Sequence, residues 1–167
     1  MRITAIEDLH CDAGWRNFSY LKISTDDGVT GWSEYNESYG SQGLSHIIRL
    51  LGQSLIGRDP RPVGRISADL ARMTRQAPAG VNQQAIAAIE NALLDVKAKA
   101  LGVPVYALFG GPYRDRLTLY WSHCGTYRFR HADKMGREPI RSLNDLRTLG
   151  REVADRGFKA LKCNIYR

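Results

Sequence analysis

The chain has 167 residues, 43% of them apolar and 25% charged, with a formal net charge of +7. Those proportions are of a globular protein, and the length allows one good core, or a domain of roughly 110 residues with part of another. No apolar run nears the ~20 residues that cross a bilayer and no basic-then-apolar leader opens the chain, so the expectation is a cytoplasmic protein with no membrane partner.

Cys11, Cys124 and Cys163 are odd in number and include no C-x-x-C pair, which disfavours a disulfide framework or a cysteine zinc site. The basic excess reads as spread along the chain, with its densest cluster at Arg128, Arg130, His131, Lys134 and Arg137. Tyr127 and Phe129 interleave there, but a solvated basic loop is the favoured reading and no nucleic-acid partner is expected.

In chain order, residues 3–10 have strand character and 19–25 have more, with Leu21 and Ile23 alternating against Tyr20, Lys22 and Ser24. Asp26-Asp27-Gly28 is a turn signal and 29–34 returns, so these segments predict an antiparallel meander. The connection over 11–18 is longer than a tight hairpin needs. It carries Trp15, Arg16 and Asn17, and a second polar loop over 35–43 carries Tyr39.

A helix is predicted over 44–55, with Ile47, Ile48, Leu51 and Leu55 on its buried side, and another over about 63–73 after Asp59-Pro60 and Pro62. The longest periodic stretch follows. Ile86, Ile89, Leu93, Val96 and Ala100 recur at three- and four-residue spacing, and Gly102 with Pro104 closes that helix near Ala100 or Leu101. Glu90 and Lys97 at the margin of its apolar face are read as anchoring pairs rather than catalysts. Beyond Gly111, residues 116–123 read as a strand, Ser142 and Asp145 as a capping box opening a helix that Gly157 ends, and 158–165 as a second strand. That β-loop-α-β unit calls for parallel pairing with a right-handed crossover.

The string from Ala88 to Val105, AIENALLDVKAKALGVPV, closed by Leu108-Phe109-Gly110-Gly111, resembles the signature of the mandelate racemase and muconate lactonizing enzyme branch of the enolase superfamily, with Glu90 where many members carry Asp. Gly31-Trp32-Ser33-Glu34 resembles the segment that ends the family's meander. The resemblance implies an α+β capping domain over 1–115, a three-stranded antiparallel meander backed by helices, followed over 116–167 by the first β-α-β of an incomplete (β/α) barrel. A whole barrel takes about 250 residues.

Gly157 to Asn164 resembles the family segment ending in Lys-x-Lys, and strand alternation puts Lys162 and Asn164 on one side. Both become catalytic candidates, although Asn164 replaces the titratable second lysine and can only exchange hydrogen bonds. Lys162 then serves as base, as the cation beside an enolate, or to orient a carboxylate. His123, at the end of the first barrel strand, is a candidate substrate contact. So are Trp15, Arg16, Asn17 and Tyr39, because capping loops set specificity in the family, and the Arg16 fork suits a carboxylate.

The superfamily uses Mg²⁺ to stabilise an enediolate. The resemblance places its ligands on strands beyond Arg167, so the chain alone is expected to bind no metal and to be inactive. The parent enzyme is expected to be a homo-oligomer that removes the proton α to a carboxylate, most simply as an acid-sugar dehydratase. Epimerisation or cycloisomerisation on the same scaffold, and an inert binding or assembly module, are the alternatives.

Overall fold

The computed structural model describes residues 1–14, 16–38, 41–123 and 125–164. The chain divides into two compact units, Met1–Pro112 and Tyr113–Arg167.

In the first unit, β1 (Ile3–Asp12), β2 (Asn17–Thr25) and β3 (Thr30–Tyr35) form an antiparallel sheet in the order β1-β2-β3. The central strand alternates as its sequence requires, with Ser19, Leu21, Ile23 and Thr25 buried. Pairing of β1 with β2 runs to Asp12 opposite Asn17. The connection is therefore residues 13–16, shorter than the loop predicted over 11–18, because Cys11 and Phe18 pair as strand partners.

Helices α1 (Leu44–Gln53) and α3 (Val81–Ala100) pack on that sheet, and α2 (Val63–Met73) packs on α3. Ile86, Ile89, Leu93 and Val96 of α3 are buried at the spacing read from the sequence, and each such burial contributes roughly 1.5–3 kcal/mol. Close approach of α3 to β3 depends on Gly31: a Cβ there would fall on the Ala92 carbonyl oxygen and lie 2.5 Å from a Val96 methyl.

Polar bonds fix the register of this contact. The Trp32 N–H and Lys99 Nζ donate to Asp95 Oδ2 at 2.8 and 2.6 Å, Lys99 Nζ also reaches the Thr30 carbonyl at 2.9 Å, and Ser33 Oγ donates to the Ala88 carbonyl at 2.7 Å. Anchoring of the helix thus falls to Asp95 and Lys99. Glu90 and Lys97, expected in that role, instead line a cavity of about 430 Å³ with Leu108 and Phe109. Gly102 takes a positive φ of 68° just past the helix, where the chain leaves as expected.

The second unit is smaller and less sealed. Helix α4 (Leu143–Asp155) opens with the predicted capping box: Ser142 Oγ accepts from the Asp145 N–H at 3.2 Å, and Asp145 Oδ2 accepts from the Ser142 N–H at 2.8 Å. Its buried residues Leu149 and Val153 pack with Ile140 against Trp121, Leu146 and Phe158. Gly125, at φ 73°, lies so close to Leu149 and Ile140 that a Cβ would meet their side chains at 2.5 and 2.6 Å.

Parallel pairing is present, but among the described residues only as one bridge between Trp121 and Leu161. The Trp121 N–H donates to the Ala160 carbonyl at 3.0 Å, and the Lys162 N–H donates to the Trp121 carbonyl at 2.9 Å. The full strands predicted over 116–123 and 158–165 are not formed among the described residues, since a lone parallel pair lacks the neighbouring strands that extend a ladder. No helix among the described residues is long and apolar enough to cross a membrane.

Candidate functional site

At the loop end of the first unit, a polar network ties strands to helix. Helix α1 has glycine at its N-cap and no side-chain cap of its own. Glu37 takes that place from outside the helix: its carboxylate accepts from the Ser45 N–H at 3.1 Å and from the Ser45 hydroxyl. With the Ser45 proton committed to Glu37, the buried Tyr35 phenol donates to Ser45 Oγ at 2.8 Å.

Burial opposes the charged form of Glu37, but the bonds from Ser45 outweigh it and hold the carboxyl below its usual range. Asp8 behaves likewise. Burial alone would raise it, and hydrogen bonds from Arg49 (2.6 Å) and His10 (3.3 Å) bring it down. His10 Nδ1 lies 3.1 Å from Ser19 Oγ, which links the sheet to the same network.

Of the predicted loop residues, Trp15 and Tyr39 lie outside the described residues. Asn17 is exposed at the start of β2, and its carbonyl accepts from Ser38 Oγ at 3.5 Å, so the two loops touch. Arg16 is engaged within the unit. Its guanidinium stacks on the Phe18 ring at 4.1 Å and lies 3.8 Å from Glu34 Oε1. Glu34, the acid of the family-like strand end, therefore faces the arginine.

At the pairing end of the second unit, His123 is exposed and takes a left-handed φ of 52°, which few non-glycine residues adopt. Its carbonyl accepts from the Thr126 N–H at 2.9 Å, closing the turn, and its ring lies 6.0 Å from that of Tyr127. Lys162 and Asn164 are both exposed. The bridge to Trp121 brings the Lys162 backbone beside the segment carrying His123, and a cavity of about 180 Å³ there is lined by Trp121, Ser122, His123, Tyr127, Arg128 and Arg137.

Sequence reasoning missed the part played by Arg128, which it placed in a solvated basic loop. Its side chain is 12% exposed and donates to Glu152 Oε2 at 2.8 Å, across 24 positions that share no periodic signal. Nor did the sequence, read as a line, reveal where the charge sits. The first unit contains eleven Lys or Arg and eleven Asp or Glu, and the second contains thirteen and six, so the entire +7 belongs to the last 55 residues. The excess is segregated, contrary to the expectation that it is spread.

Among the described residues, no group of three or more His, Cys, Asp or Glu side chains converges as a metal site.

A three-stranded antiparallel meander packed with helices is the architecture of the N-terminal capping domain in the enolase superfamily. Residues 13–110 match the family model described as mandelate racemase / muconate lactonizing enzyme, N-terminal domain, and the chain belongs to that family. A D-galactonate dehydratase from Xanthomonas campestris pv. campestris (strain B100) is 35% identical over 150 residues, covering 90% of this chain and 36% of the relative.

Similar solved structures include a protein provisionally named L-alanine-DL-glutamate epimerase from Burkholderia xenovorans strain LB400, bound to magnesium and fumarate. It is 43% identical with a TM-score of 0.92 over 98% of this chain and 41% of that one. A mandelate racemase/muconate lactonizing protein from Paracoccus denitrificans PD1222, complexed with magnesium, is 27% identical with a TM-score of 0.76 over 97% and 41%. The chain thus spans about a third of the length of the curated relatives it matches.

Proposed function

We propose that the protein to which this chain contributes is an acid-sugar dehydratase, removing the proton α to a carboxylate and then losing a hydroxyl as water. The observation that carries this reading is the 35% identity with D-galactonate dehydratases across both units, over 150 residues. The relatives' bound magnesium and fumarate support a metal-dependent enzyme acting on a carboxylate. Here the metal's ligands belong to the part of the parent matched by the remainder of those relatives, and no step is assigned to them from this chain.

In this reading, residues 1–115 are the capping domain and 116–167 open the barrel. Lys162 stands where it takes the α-proton as the base or, as the cation, pairs with the substrate carboxylate and stabilises charge developing on its oxygen while a base elsewhere in the parent takes that proton. Asn164 beside it holds a hydroxyl or carboxylate oxygen through hydrogen bonds and moves no proton. His123 contacts the same part of the substrate from the neighbouring strand. Arg16 and Asn17, with Trp15 and Tyr39, contribute polar specificity suited to a polyhydroxy acid.

The test is the full-length parent with Mg²⁺ and a panel of acid sugars. A 2-keto-3-deoxy product is expected from at least one, and Lys162→Met lowers kcat by about 100-fold or more, whereas exposed Lys159→Met leaves it unchanged. No such product from any acid sugar rules the reaction out. The epimerase-named neighbour favours a second reading, epimerisation, which deuterium from solvent entering recovered substrate without dehydration would select.

A further inference from the structure

The basic loop of the second unit encloses more than a charged surface. A cavity of about 380 Å³ is lined by Arg128, Arg130, Arg137 and Arg141, with Asp133 and Glu138 as its acids. Arg128 gives one N–H to Glu152 and lines the cavity as well, since a guanidinium carries five donors in a fixed fork. Among the described residues, the side chains of Arg130, Arg137 and Arg141 make no ion pair, and neither do those of Asp133 and Glu138.

Four arginines and two acids therefore line the cavity, with Glu152 acting on Arg128 and Arg137 and Asp145 on Arg141 from behind it, inside a unit that already carries the whole net charge of the chain. Like charges held around one concavity repel one another, and a bound anion reverses the sign of that interaction. Arginine forks suit a tetrahedral or planar oxyanion better than ammonium groups would, because each can give two parallel N–H bonds.

We propose that this arginine-lined cavity is a binding site for a small, doubly charged oxyanion, a phosphate or a dicarboxylate. Arg128, fixed by Glu152, forms its rigid wall. Arg130, Arg137 and Arg141 close on the ligand, and Asp133 and Glu138 limit its affinity. The proposal does not depend on the dehydration proposed above.

The experiment is calorimetric titration of the 167-residue chain, in phosphate-free buffer of low ionic strength, with inorganic phosphate in one arm and succinate in the other. One saturable site is expected, weakening as sodium chloride is added. Arg137→Gln and Arg141→Gln each weaken it about tenfold, the worth of a charge-assisted hydrogen bond. Arg147→Gln, an exposed arginine outside the cavity wall, leaves it unchanged.

Asp133→Asn provides the opposite sign. It tightens binding about two- to fivefold by removing a repelling carboxylate, a gain that a misfolded variant does not produce. Saturation by phosphate alone identifies a phosphorylated ligand, and saturation by succinate, with or without phosphate, identifies a carboxylate. No saturable binding in either arm overturns the proposal, as does equal affinity in Arg137→Gln and Arg147→Gln.

Discussion

The two units differ in what holds them and in what they carry. Eighteen buried residues from the strands and three helices make one continuous core in the first, whereas three buried residues, Ile140, Leu149 and Val153, make the core of the second. The first is also electrically neutral, and its ion pairs, such as Arg49 with Asp8 and Arg58 with Asp69, balance charge within it. The second holds the full positive excess around a few carboxylates, of which Glu152 is bonded by both Arg128 and Arg156. A sealed, neutral body suits a scaffold that presents loops. A thinly packed, cationic one has its polar groups still available to an anionic ligand, at some loss of stability to self-repulsion.

The contrast is broken most severely at Gly31. Gly31→Ala forces a methyl into the backbone of α3, and a loss of about 3 kcal/mol or more is expected, since neither the Ala92 carbonyl nor the β3 strand can yield without shifting the other. Hydrogen exchange should then accelerate throughout β2, β3 and α3. Unchanged exchange there would contradict the close approach. Leu149→Ala is expected to cost about 2–4 kcal/mol, confined to the second unit. With so few core residues to compensate, α4 should lose its protection while α3 keeps it, and simultaneous loss in both would show that the units do not fold separately.

The smallest effect comes from acid. Burial works against the charged form of Glu152, but Arg128 and Arg156 outweigh it and hold its carboxyl below the usual range. Its stabilising contribution is therefore complete above the ordinary carboxylate pKa and fades as pH falls through the lower folded value. Denaturant titrations from pH 6 toward pH 3 should show the second unit losing up to about 1 kcal/mol by this route. The loss should disappear in Glu152→Gln.

Much of the fold is legible in the sequence where its cause is local. The period of two in β2, the spacing of Ile86, Ile89, Leu93 and Val96, the Gly102-Pro104 stop and the Ser142–Asp145 box each lie within one element. Where the same local logic was applied across elements it failed. Glu90 and Lys97 looked like the anchors of α3, yet their positions face a groove, and Asp95 meets β3 because the strand runs past that turn of the helix.

The candidate site is less legible for the same reason. The loop from β1 to β2 is shorter than its sequence suggests, because Cys11 and Phe18 announce nothing about their pairing across the hairpin. Glu37 as an external cap for α1, Glu34 against Arg16, and Glu152 against Arg128 join residues 8 to 24 positions apart. Such partners are chosen by the packing of separate elements, so no periodicity in the chain encodes them.

The sequence by itself determined the family, the meander and the helices, since each is written in the order and spacing of neighbouring side chains. Only the tertiary structure decided how β3 reaches α3, which acids answer which arginines, and that Arg128, Arg130, Arg137 and Arg141 surround one cavity. The physical reason is range: propensity and burial pattern act over a few residues, whereas packing and charge pairing act between surfaces that meet only when the chain has folded.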